Sequence, residues 1–118
     1  ADDRAEAMYL IAEIYYKQGK LEQSGTVIDE IFNNGSNYFY TEKALLLLAN
    51  ISIDNGDYYT AEAALEALIE NYSDDESDPK HLDEAKEKLK KVKDLINQNS
   101  RVEDEEELQF DNDDDGGN

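Results

Sequence analysis

A chain of 118 residues has the length of one domain, and 39% hydrophobic content supports a modest core. A net charge of −19 and a pI near 4.1 repel nucleic-acid backbones and anionic lipid surfaces, arguing against DNA, RNA and peripheral membrane binding. With no Cys there is no disulfide, thiolate metal site or cysteine nucleophile, and the longest apolar run, Ala44 to Ala49, is six residues, too short to span a membrane.

Taken in order, residues 3–18 predict a first helix, with Met8, Ile11, Ala12 and Tyr15 at helical spacing on one face. Gly19 ends it as a C-cap able to take positive φ. Residues 21–33 predict a second helix, its apolar positions Leu21, Val27, Ile28, Ile31 and Phe32, and Asn33 to Ser36 form a turn cluster. Ser36 or Asn37 caps a third helix running to about Asn55, with Leu45, Leu48, Ala49 and Ser52 inward. After a Gly56-Asp57 turn, residues 58–71 predict a fourth helix carrying Ala61, Ala64, Leu65, Leu68 and Ile69. Ser73 to Ser77 reads as an acidic loop. Asp78 and Pro79 then stand as N-cap and first residue of a fifth helix over 79–97, with a stripe of Leu82, Ala85, Leu89, Val92, Leu95 and Ile96. From 98 to 118 the pattern dissolves. Residues 101–118 hold nine acidic side chains and one Arg, a composition that predicts an acidic disordered tail.

The chain also repeats itself at a spacing of 37. Ala7 falls on Ala44, Ala12 on Ala49, Ile14 on Ile51, Gly19 on Gly56 and Asn34 on Asn71, while Met8, Ile11, Ile28 and Ile31 fall on Leu45, Leu48, Leu65 and Leu68. A helical pattern with a period between about 20 and 50 residues means stacked hairpins. The expected architecture is all-α: a solenoid of two hairpins, 1–36 and 37–73, and a capping helix, 78–97.

The stretch AEAMYLIAEIYYKQGKLEQSGTVIDEIFNNG, Ala5 to Gly35, resembles the tetratricopeptide repeat family. Ala12 and Ala49 stand where that family places the small residue at the helix contact, Met8 and Leu45 where it places the large one before it, and Tyr15 its aromatic. Gly19 and Gly56 match the turn glycine, Ser24 and Ala61 the small residue of the second helix, Ile28 and Leu65 the large one after it. The second unit departs in having Ser52 for the aromatic, neither unit closes with Pro, and the period exceeds the usual length of about 34. The long spacing, Tyr-rich helices and acidic tail also resemble the C-terminal end of large bacterial repeat proteins of the cell envelope.

In that family the first helix of each unit lines a concave groove that binds peptides. The resemblance maps this groove onto Glu6, Tyr9, Glu13, Tyr16 and Lys17 of the first unit and Lys43, Leu46, Asn50, Ile53 and Asp54 of the second. Tyr9, Tyr16, Leu46 and Ile53 become the expected anchors, with Lys17 and Lys43 as basic candidates or solvated side chains. Two kinds of occupant compete for these residues: a protein or peptide partner, and the fifth helix or neighbouring repeats. Tyr9 and Glu13 replace the Lys and Asn of the carboxylate clamp in the chaperone-binding subfamily, which argues against that clamp.

Catalysis finds little support. His81 is the one His, expected to be exposed beside Asp83 and Glu84, and no Ser lies in a nucleophile-elbow context. Asp111 to Gly116 matches the opening of a calcium loop but lacks the Glu six residues later, leaving at most weak divalent binding by the tail. The expectation is a non-catalytic interaction module without cofactor. The alternative is the end-piece of a longer superhelix that mediates self-association.

Overall fold

The computed structural model describes residues 2–34 and 37–116, with side chains described over 3–34 and 37–102. Five helices follow one another: α1 (Asp2–Lys17), α2 (Leu21–Asn33), α3 (Tyr38–Asp54), α4 (Tyr58–Glu70) and α5 (Pro79–Gly116). Each packs on the next, and α3 also meets α1 and α5, so the first helices of successive units line one side. This is the expected all-α stack of two hairpins and a C-terminal helix.

The repeat is visible in the turns. After α1, the Gly19 N–H donates to the Tyr16 carbonyl and the Lys20 N–H to the Tyr15 carbonyl. After α3, the Gly56 N–H donates to Ile53 and the Asp57 N–H to Ser52. Both are Schellman closures, and both require the left-handed conformation that Gly19 (φ 77°) and Gly56 (φ 76°) supply. The second helices also end alike: the side-chain amides of Asn34 and Asn71 donate to the carbonyls of Glu30 and Ala67. Asn37 caps α3 by accepting from the Tyr40 N–H at 3.0 Å, and Asp57 caps α4 by accepting from the Thr60 N–H at 3.3 Å.

Glycines at different φ carry opposite predictions. A Cβ at Gly56 meets no atom within 4 Å, so Gly56→Ala is expected to cost about 1–2 kcal/mol through φ strain alone. Gly25, inside α2, has the same free space and no positive φ, so Gly25→Ala is expected to add about 0.5–1 kcal/mol. Urea denaturation of both variants checks the pair.

Two apolar clusters hold the stack. Tyr9, Ala12, Ile28, Ile31, Ala44, Leu47 and Ile51 join α1, α2 and α3. Leu46, Ala49, Ala61, Ala64, Leu65, Leu68, Ala85 and Val92 join α3, α4 and α5, and Leu48 touches both. Ala12, Ala49 and Ala85 are each fully buried, so a small side chain sets the close approach at every first helix, α5 included. Ser24 is likewise fully buried, and its hydroxyl donates to the Ala12 carbonyl at 2.7 Å.

Two expectations need correction. The backbone from 98 to Gly116 is helical, not a disordered tail: α5 runs 38 residues. In α1 and α3 the glycine that turns the chain lies seven residues after the buried alanine. In α5 that position is Val92, and no Gly or Pro interrupts 80–115, so nothing stops the helix. His81 is also buried rather than exposed. The Asp111–Gly116 calcium motif lies in helical backbone, and its side chains lie outside the described residues.

Candidate functional site: a three-walled cleft

The concave side holds an open cleft of roughly 360 Å³, in the size range of ligand-binding clefts. One wall is α1, through Tyr9, Glu13, Tyr16 and Lys17. The floor is α3, through Lys43, Leu46, Leu47 and Asn50. The far wall comes from the start of α5, through Asp78, Lys80, His81 and Glu84. The spacing of 9, 13 and 16–17, and of 43, 46–47 and 50, is one helical face in each case. Of the ten residues mapped to this face, seven meet in the cleft, while Glu6, Ile53 and Asp54 do not line it. Ile53 instead packs, half-buried, against the α3–α4–α5 cluster.

Tyr9 and Leu46 were expected to be free of the core, and they are not: 8% and 6% of their surfaces remain exposed. The reason is the position of α3, enclosed by α1, α2, α4 and α5 so that nearly its whole circumference is dry. Tyr9 lies at the α1–α3 seam against Tyr40, under the Lys43 ammonium 4.7 Å above its ring. Its hydroxyl donates to Glu13 at 3.2 Å, and Lys17 reaches the other oxygen of that carboxylate at 3.5 Å. Tyr16, half-buried, donates to Asp54 at 2.9 Å. Asn50 accepts from Lys88 of α5 at 3.0 Å, so the fifth helix does take part of the groove. Tyr16 and Lys17 stay reachable at the rim.

Both phenols are pushed above their ordinary range, Tyr9 by burial and then by the Glu13 charge, Tyr16 by burial and then by its bond to Asp54. They therefore remain neutral donors at physiological pH. A folded-state value above the unfolded 10.0 means that the stability these groups lend is complete below pH 10 and is lost as pH climbs above it. Tyr9→Phe is expected to reduce the fall in Tm between about pH 9 and 11 relative to the parent chain, which thermal melts across that window would check.

The fifth helix was among the expected occupants of the groove, but Asp78, Lys80, His81 and Glu84 were not among the residues mapped to it. One signal existed: Lys80 stands one 37-residue period after Lys43. The rest depended on a contact invisible in the sequence. Glu42 of α3 is buried and accepts at one carboxylate oxygen from His81 Nδ1 at 3.0 Å and from the Asp78 N–H at 3.4 Å. Phe39 packs against the same imidazole with its ring tilted 50° to it, ring centres 4.8 Å apart.

Among the described residues no group of three or more His, Cys, Asp or Glu could hold a metal ion. Among them also, no helix is long and apolar enough to cross a membrane. Comparison with curated proteins and with solved structures returned no match. A family model, the tetratricopeptide repeat, matches residues 6–34 and 43–75, more than half of the chain. Those segments are the two hairpins whose turns, caps and buried alanines repeat in the structure, and such repeats generally mediate protein–protein interaction or scaffolding. The chain belongs to the tetratricopeptide repeat family.

Proposed function

We propose that this chain is a non-catalytic interaction module that takes an extended or helical protein segment in the cleft between α1, α3 and α5. The observation that supports it is the convergence of Glu13, Tyr16, Lys17, Lys43 and Asn50 with Lys80 and Glu84 in one cleft. Tyr16 supplies an amphipathic contact, and the Lys and Glu side chains supply charge of both signs. Tyr9 and Leu46 act beneath these as a rigid floor rather than as anchors. Nucleic acid is a poor occupant because the chain carries −19.

Peptides selected against the full chain from a displayed random library test this reading. Tyr16→Ala combined with Lys17→Glu is expected to weaken the selected peptides at least about tenfold, roughly 1.4 kcal/mol, with Tyr16→Phe close to the parent. Selected peptides that bind the double variant at parental strength would place the interaction elsewhere.

A further inference from the structure

Helix α5 is charged in two halves. Residues 79–97 hold six Lys against four Asp or Glu, a basic stretch in a chain of −19, whereas residues 101–118 hold nine acidic side chains and one Arg. Lys86, Lys90 and Lys93 are exposed, on a face turned away from the buried Ala85 and Val92. Among the described residues none of the three makes an ion pair. They stand at i, i+4 and i+7. The same spacing, carried along the unbroken helix, reaches the exposed Asn97 and Ser100 and then positions 104, 107 and 111, where the sequence has Asp, Glu and Asp. Alternating steps of four and three keep one face toward a partner helix.

That face therefore runs three cations, two neutral amide or hydroxyl residues, three anions. Reversed end for end, the order is its own complement. We propose that two copies of this chain pair through α5 as antiparallel helices, the Lys half of each lying on the acidic half of the other. With the twofold axis between 97 and 100, Lys93 falls opposite Asp104, Lys90 opposite Glu107 and Lys86 opposite Asp111, and Asn97 meets Ser100. The flanking positions agree, since the same register sets Asp94 beside Arg101 of the second copy. A parallel pair would put Lys on Lys and acid on acid, which excludes that arrangement. One chain cannot make these contacts alone, because 93 and 104 lie about 16 Å apart along a straight helix. Although each chain carries −19, the two basic segments sit about 30 Å apart along the shared axis. That spacing, several times the ~8 Å screening length at physiological salt, weakens the repulsion between the two negative bodies. The cleft is not involved: its α5 residues, Asp78, Lys80, His81 and Glu84, lie off this face.

Sedimentation of the full chain tests the pairing. The chain is expected to be a dimer at about 0.1 mM in low salt, and to lose at least about tenfold in affinity in about 0.5 M NaCl. Lys86→Glu, Lys90→Glu and Lys93→Glu together are expected to give a monomer whose Tm stays within about 3 °C of the parent, as exposed sites do. Asp104→Lys, Glu107→Lys and Asp111→Lys together should do the same, and the two triple variants mixed should form a heterodimer. Arg4→Glu, Lys20→Glu and Lys91→Glu, an equal charge change off the face, should leave a dimer. A parent chain that stays monomeric in low salt overturns the proposal. So does a dimer that survives the Lys86, Lys90 and Lys93 reversals, which would place self-association on another surface.

Discussion

Leu65→Ala is expected to cost about 2–5 kcal/mol, and to lower Tm by roughly 10 °C or more. Leu65 is fully buried at the centre of the cluster that fastens α4 and α5 to α3. Truncation leaves a cavity in the cluster shared by α3, α4 and α5, which the surrounding packing fills only in part. Its equivalent one period earlier, Ile28, is also fully buried, in the α1–α2–α3 cluster. Ile28→Ala should therefore cost a similar amount but release a different part of the chain. In a stack, stability is a sum over neighbouring contacts. Amide exchange should thus quicken in α5 for Leu65→Ala and in α1 for Ile28→Ala. Equal quickening everywhere in both variants would show one cooperative unit and defeat the nearest-neighbour account.

Glu42→Ala is expected to cost about 1–3 kcal/mol, as loss of the acceptor of buried donors does. The loss leaves the buried His81 Nδ1 and the Asp78 N–H without their acceptor. These are the groups that hold the start of α5 against α3, so the variant should loosen the α5 wall of the cleft first. Hydrogen exchange over residues 78–92 should rise before that of α1 and α2. Glu42→Gln retains an acceptor oxygen at the same reach and is expected to recover more than half of the loss. A Glu42→Ala chain with parental Tm and exchange would show that the pair contributes nothing to α5 docking. Because Lys80, His81 and Glu84 stand on that wall, peptide binding in the cleft should weaken alongside.

Much of the architecture was legible because it rests on local rules that repeat. Gly19 and Gly56 turn the chain since only glycine takes positive φ without strain, and the sequence displays them 37 residues apart. Ala12 and Ala49 mark close contacts for the same reason: a small residue in an apolar stripe is informative by itself. The cleft was partly legible. Its α1 and α3 residues follow from helical spacing, but the fates of Tyr9, Leu46 and Ile53 depended on how many neighbours surround α3. A periodicity reports which residues share a face. It does not report how many faces are covered, and in the central helix of five nearly all are.

The tail shows the opposite failure. Dense acidic composition argued for disorder from residue 98, yet the backbone stays helical to Gly116, since Val92 stands where the other first helices have glycine. By itself, then, the sequence determined the family, the five helices, their turns and the alanine contacts, because each is set by residues close together in the chain or one period apart. Only the tertiary structure decided that Glu42 and His81, 39 residues apart, meet in the interior, that α5 walls the cleft, and that α1 keeps bare a stripe which α3 buries. Those outcomes depend on which helix lies beside which, and desolvation of a side chain is a property of its neighbours rather than of its own position in the chain.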